Sequence, residues 1–260
     1  MKYFRLLVLM TVFCCPFSVG CLLAQTAGTQ TIAHRGDWMP EGSAQNSRAS
    51  LQRALDLGIF GSEIDIWLTR DGHIMVNHDQ TFQGVTVQDT TYAACKKIRL
   101  KNGECMPQLK DLLKILKKSK SSTRLVVEVK SHRLPQRSRE CAAAAVAAIR
   151  KYGLEDRVLY ISFSIEACET IHQLAPKADV AYLSGNRTPK ELHDMGLTGI
   201  DYNIKVFRQH PEWVAEAHAL GMNVNVWTVD EAEDILAMQQ LGVDYITTNK
   251  PALCEELVNR

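Results

Sequence analysis

Residues 158–183 read VLYISFSIEACETIHQLAPKADVAYL, and the change of rhythm inside this stretch decides the fold. Val158–Phe163 is a short apolar run of β-branched and aromatic residues, the mark of a strand buried on both faces. Ile165–Leu174 then spaces its apolar residues as one face of a helix requires. Asp179–Leu183 returns to the strand pattern. Strand, helix and strand in that order form a parallel pair joined by a crossover helix.

The same unit repeats in both directions. Further candidate strands are Thr31–Ala33, Ser62–Trp67, Arg124–Val129, Gly199–Tyr202, Asn223–Thr228 and Asp244–Thr247. Helical patterns cover Ser47–Leu57, Leu109–Lys118, Arg137–Tyr152, Pro189–Met195, Pro211–Leu220, Glu231–Leu241 and Pro251–Leu257. Gly58, Gly153, Gly196, Gly221 and Gly242 follow helices, at the left-handed position where a helix stops. Strands that each lead into a helix, repeated to eight units, close into an α/β barrel. Two segments depart from the rule. His73–Asn77, after Asp71-Gly72, is predicted as an added strand on a tight turn, and Thr81–Gly103 as a polar, irregular insertion before the second helix.

The chain has 260 residues, and a single α/β barrel takes about 250, so one domain accounts for it without a linker. At 46% hydrophobic and 23% charged it has the apolar content of a folded core. A formal charge of +1 argues against nucleic acid as a bulk electrostatic partner, so any phosphate is handled at a local site.

Lys2 and Arg5 precede an apolar run from Leu6 to Ala24, with small polar residues after it, which predicts an export signal over residues 1–24. The mature chain is then periplasmic, or anchored facing outside the cytoplasm, with no transmembrane span of its own. Ser18-Val19-Gly20-Cys21 loosely resembles a lipoprotein processing site, which would make Cys21 a lipid anchor. Leu22, Leu23 and Ala24 continue the apolar run past that cysteine, which favours cleavage near Ala24 or Gln25. Of eight cysteines, Cys14, Cys15 and Cys21 belong to the leader. Cys95, Cys105, Cys141, Cys168 and Cys254 are odd in number and widely spaced, and read as scattered small hydrophobes. Cys95 and Cys105, in one irregular segment, are the pair near enough to bond in an oxidising compartment.

In barrels of this kind chemistry sits where strands end. The first strand ends in His34-Arg35-Gly36, the second carries Glu63 and Asp65, and the added strand runs into His78-Asp79. The third carries Glu128 and Lys130, the fourth ends in Ser162-Phe163, and the seventh in Trp227-Thr228. Side chains two apart on a strand share a face, so Glu63 and Asp65 point together, as do Glu128 and Lys130. Three converging carboxylates repel one another unless positive charge sits among them. Oxygen-only donors select a hard cation, Mg²⁺ or Ca²⁺. The alternative is a salt-bridge network with Arg35 and Lys130 that binds no metal. His34 and His78 titrate in the range useful for proton transfer, beside Arg35, whose guanidinium suits a phosphate. His73, His132, His172, His193, His210 and His218 lie elsewhere and read as surface or structural.

The motifs His34-Arg35-Gly36, Asn46-Ser47, Glu63-Ile64-Asp65, His78-Asp79, Pro107 to Leu109, Glu128-Val129-Lys130, Ser162-Phe163, Val226-Trp227-Thr228-Val229 and Gly242-Val243-Asp244 run in one order. That ordered set, from about Thr31 to Leu253, resembles the glycerophosphodiester phosphodiesterase family. The resemblance implies a TIM (β/α)8 barrel over residues 31–260 with a small insertion after the second strand. It implies hydrolysis of a glycerophosphodiester to glycerol 3-phosphate and an alcohol. Glu63, Asp65 and Glu128 would be the metal ligands and His34 and His78 the acid and base. Arg35 and Lys130 would hold the phosphate, and Trp227 and Phe163 would line the glycerol side. A lysophospholipid or phosphoinositol diester, or phospho-ligand binding without turnover, are the other readings.

Three positions depart from the family pattern. Gln45, before Asn46, is neutral where a carboxylate is expected, leaving Glu41 as the acid that would have to reach in from the loop. Lys110 takes an acidic position after the Pro107 motif, with Asp111 keeping the second. Asn249 stands where Asp is common.

Overall fold

β1 (Gln30–Ala33) pairs in parallel on both sides, with β2 (Gly61–Leu68) and with β11 (Tyr245–Thr248), and this double pairing closes the sheet. The computed structural model describes residues 28–260, so the predicted export signal and Cys21 lie outside the described residues. Between β2 and β11 the barrel continues through β6 (Arg124–Val129), β7 (Val158–Ser162), β8 (Asp179–Tyr182), β9 (Gly199–Asn203) and β10 (Asn223–Trp227), all parallel. The eight predicted strands are these, with ends within one residue of the prediction.

Helices α1 (Arg48–Leu57), α3 (Leu109–Lys118), α4 (Pro135–Tyr152), α5 (Ile165–Leu174), α6 (Pro189–Asp194), α8 (Glu212–Ala219), α9 (Ala232–Leu241) and α10 (Pro251–Val258) follow the strands. Their ends obey local rules. Pro135, Pro189 and Pro251 open helices where a missing N–H does no harm, and Gly58, Gly153 and Gly242 end them in left-handed backbone. Asp111 closes a capping box at the start of α3 and also pairs with Arg48 of α1 at 2.7 Å. An added helix, α7 (Ile204–Gln209), follows β9 directly, with Asn203 capping the Lys205 N–H. It is too short to show a helical period in the sequence.

Strand residues alternate between two environments. Ile64, Ile66, Val127, Tyr160, Val180, Ile200, Tyr202, Val224 and Ile246 face outward into one core shared with the helices. Each such side chain, fully buried, contributes about 1.5–3 kcal/mol. Facing inward, Ile32, Val126, Leu159, Ile161 and Leu183 form a smaller apolar cluster. Polar residues fill the remaining inward positions, and these make the site.

The insertion after β2 is more ordered than predicted. β3 (Ile74–Val76) pairs antiparallel with the end of β2, and β4 (Thr81–Phe82) and β5 (Val85–Thr86) make a small hairpin before α2 (Tyr92–Cys95). Trp67, Met75, Val87, Cys95, Ile98 and Met106 give it a core of its own. All five cysteines of the described residues are free, Cys95 and Cys105 included. Among the described residues no helix is long and apolar enough to cross a membrane.

Candidate active site

β2 and β6 run in register with Asp65 opposite Glu128, and Glu63 lies one step back on the same face. One carboxylate oxygen from each of the three lies within 4.8 Å of the others, and all three residues are buried. Burial, then the neighbouring Asp65 and Glu128 charges, pushes Glu63 well above the usual carboxylate range. Burial and then Asp65 push Glu128 up to about 8, against the pull of Lys130. Burial also penalises charge on Asp65, but Lys130, His78 and the Asn46 amide outweigh it and hold the carboxyl low.

Lys130 is the internal counter-ion. Its ammonium lies 3.2 Å from Asp65 Oδ1 and 2.8 Å from Glu128 Oε1, although that last oxygen has no partner along a hydrogen-bond direction. Burial disfavours its charge, yet the two carboxylates hold it firmly protonated. Lys130 does not line the cavity walled by His34, Arg35, Glu63, His78 and Glu128.

The turn from β1 into α1 supplies the next groups. Arg35 adopts left-handed backbone with φ 59°, uncommon for a residue other than glycine, and its N–H donates to Glu63 Oε2, 2.6 Å away. Its guanidinium donates to Gln45 Oε1 at 2.8 Å and lies 3.9 Å from Asp65. Gly36 follows because a Cβ there would sit 2.5 Å from Ser50 Oγ and 2.8 Å from the Ser50 backbone. Asn46, also left-handed, donates Nδ2–H to Asp65 Oδ2 at 2.8 Å and accepts the Asp65 N–H at 3.0 Å. Ser47 then caps α1 with Ser50. Glu41 is exposed and makes no hydrogen bond or ion pair with Arg35, so it does not stand in for the expected carboxylate at Gln45.

The two histidines come from different strands. His34 follows β1 and its Nδ1 lies 2.9 Å from Asn249 Oδ1. Asn249 donates its Nδ2–H to Asp230 Oδ2 and its backbone N–H to Asp230 Oδ1, so its carbonyl oxygen faces the imidazole. His34 therefore carries its proton on Nδ1 and leaves Nε2 as an acceptor. Burial, then the Arg35 charge, lowers its pKa to about 4. His78 follows β3, is half-buried, and sets Nδ1 2.8 Å from Asp79 Oδ1.

A cavity of about 110 Å³ opens between these groups. His34, Arg35, Glu63, His78 and Glu128 form one wall, and Phe163, Leu183 and Trp227 the other. The Phe163 and Trp227 rings meet edge to face at 5.6 Å, and Trp227 Nε1 donates to the Asp201 carbonyl at 2.9 Å. Sequence reasoning missed three residues here. Asp201 is a lone acid in an otherwise apolar strand, the one signal that could have marked it. Asn249 registers only as a departure, and Asp230 carries no signal at all.

The three acids suit a hard dication. Glu63 has no cationic side chain within ion-pair distance among the described residues, and Glu128 Oε1 has no hydrogen-bond partner. The salt-bridge network thus leaves negative charge unanswered, with oxygen donors only.

The description "Glycerophosphoryl diester phosphodiesterase family" matches residues 34–253. A glycerophosphodiester phosphodiesterase of Caldanaerobacter subterraneus subsp. tengcongensis is 30% identical over 246 residues, covering 89% of this chain and 98% of the relative. The crystal structure of a glycerophosphodiester phosphodiesterase from Parabacteroides distasonis is 44% identical with TM-score 0.88, covering 89% of this chain and 97% of that one. A phosphodiesterase from Oleispira antarctica, solved with the product sn-glycerol-3-phosphate, shares the fold at TM-score 0.77 and 23% identity, covering 90% and 98%. With its eight-stranded parallel barrel and a match running from His34 to Leu253, this chain belongs to the glycerophosphoryl diester phosphodiesterase family.

Proposed function

We propose that this protein hydrolyses glycerophosphodiesters to glycerol 3-phosphate and an alcohol by metal-assisted imidazole catalysis. The observation that carries the reading is one cavity walled by His34 and His78 together with Arg35 and two of the three clustered acids. Glu63, Asp65 and Glu128 would hold Ca²⁺ or Mg²⁺, which when bound supplies positive charge to the phosphoryl oxygens. Arg35 adds a fixed cation from the cavity wall, and Lys130 adds charge beside Asp65 and Glu128, which it bridges.

The hydrogen-bond partners divide the histidine roles. His34, neutral and with Nε2 free, takes the proton from the glycerol hydroxyl next to the phosphate ester as that oxygen attacks phosphorus. His78, with Asp79 beside Nδ1 to balance an imidazolium, gives a proton to the departing alcohol oxygen as its bond to phosphorus breaks. The product of this step is a cyclic phosphate, which water opens with the two roles exchanged.

A groove of about 460 Å³ adjoins the cavity and shares His78 with it. Trp38, Met39, Phe82 and Lys101 line it, which supports a leaving alcohol as bulky as a lysophospholipid or phosphoinositol portion. Lys2, Arg5 and the apolar run to Ala24 support export to the periplasm or to a membrane-anchored position facing outside the cytoplasm, with Cys21 as the alternative lipid-bearing end. Phosphorus NMR of a turnover mixture tests the reaction course. A cyclic phosphate that rises and decays to glycerol 3-phosphate agrees with it, and direct formation of a head-group phosphomonoester contradicts it.

A further inference from the structure

Asp201 projects from β9 into the barrel on the side opposite the clustered acids. It is fully buried, its Oδ1 has no hydrogen-bond partner, and no ion pair reaches it among the described residues. The other buried acids of the site each have a charged or N–H neighbour: Asp65 has Asn46 and Lys130, Glu128 has Lys130, and Glu63 has the Arg35 N–H. Asn225, its register neighbour on β10, engages Thr247 with its side-chain amide and partly eases the Asp201 carboxyl, but leaves Oδ1 without a donor. Trp227 donates to the Asp201 main-chain carbonyl and not to its carboxyl.

A buried carboxyl oxygen without a donor destabilises the fold. Its position suggests where a donor comes from, because Asp201 lines the cavity with Thr247, below Phe163, Leu183 and Trp227. The phosphate end of a ligand would be held at the other wall by Arg35 and the cation that the acids would bind. What reaches Asp201 must pass between apolar side chains and end in a hydrogen-bond donor. A short polyol arm has that form; a cation or a second phosphate does not need the apolar walls.

We infer that Asp201 accepts a hydrogen bond from the terminal hydroxyl of the glycerol half of the substrate, and so selects for a retained alcohol bearing a hydroxyl beyond the attacking one. The inference rests on the phosphodiesterase reading of the site. Burial holds the Asp201 carboxyl up at about 7, and a donor supplied by the substrate would relieve that penalty.

The test compares sn-glycero-3-phosphoethanolamine with its analogue built on propane-1,2-diol, which keeps the attacking hydroxyl and lacks the terminal one. The wild type should favour the glycerol substrate by about 10-fold to 100-fold in kcat/KM, as for a hydroxyl bonded to a charged buried group. Asp201→Leu should bring the ratio below about 3-fold, and Asp201→Asn, which keeps an acceptor, should fall between. Thermal melting of both variants should stay at or above wild type, since an unanswered buried carboxyl has been removed. Equal turnover of both substrates by the wild type overturns the inference, and so does an equal loss on both in the variants. Failure of the wild type on both diesters would instead count against the phosphodiesterase reading.

Discussion

His34 and Asn249, at opposite ends of the chain, share a hydrogen bond of 2.9 Å between Nδ1 and Oδ1. Asn249 cannot turn its amide over without losing Asp230, which accepts its Nδ2–H at 2.8 Å, and the same Oδ1 also receives Trp38 Nε1 at 3.1 Å. The tautomer of His34 is therefore held by a side chain that does not line the cavity. Asn249→Ala should lower kcat by about 10-fold to 100-fold with little change in KM, as expected for loss of an orienting partner. Steady-state kinetics check this, and a change confined to KM would contradict it.

The division of roles between the histidines predicts different responses to the leaving group. His34→Ala and His78→Ala should each lose about 100-fold to 10,000-fold on glycerophosphoethanolamine. On a glycerophosphodiester of p-nitrophenol, which departs without a proton, His78→Ala should recover most of its activity and His34→Ala should not. Recovery in the His34 variant alone would reverse the assignment.

Gln45 accepts from the Arg35 guanidinium at 2.8 Å without neutralising it. Gln45→Glu would supply a counter-charge at that place, so less of the Arg35 charge is left for phosphate. KM should rise about 3-fold to 10-fold, while divalent metal should bind more tightly. Titration calorimetry for the metal and kinetics for the substrate read the two effects separately.

Stability should depend on pH and metal together. Glu63 and Glu128 hold protons in the folded state that the unfolded chain has already released, since both are raised from 4.5, Glu128 to about 8. Stability from this source is therefore lost as pH rises. His34, lowered from 6.5 to about 4, acts in the opposite sense but only below 6.5. In chelator, Tm should fall between pH 6.5 and 8, and Ca²⁺ or Mg²⁺ should remove most of that fall. A flat Tm in chelator would contradict the burial and crowding of these acids.

The barrel was legible because its signals are local: strand runs, helical spacing and the glycines that end helices recur through the chain. Glu63, Asp65 and Glu128 were legible because acids inside apolar strands are exceptional, and strand alternation places them on one face. Asp201 is the same kind of exception but stands alone, without a second acid two residues away. The Asn249–Asp230 support of His34 depends on β1 and β11 lying side by side, which closure of the barrel decides and no local pattern records. The small core of the insertion was missed for a similar reason, since Trp67 and Met106 come from outside residues 81–103. Lys130 was expected at the phosphate, but the nearest charges to its ammonium are Asp65 and Glu128.

The central claim is that imidazoles and a metal held by the three acids act together on a glycerophosphodiester. Release of glycerol 3-phosphate from glycerophosphoethanolamine measures it most directly, with and without chelator, for wild type, His34→Ala and His78→Ala. The account predicts turnover by the wild type that chelator abolishes and added Ca²⁺ or Mg²⁺ restores, with both variants nearly inactive. Turnover indifferent to chelator, or full activity in both variants, would contradict it.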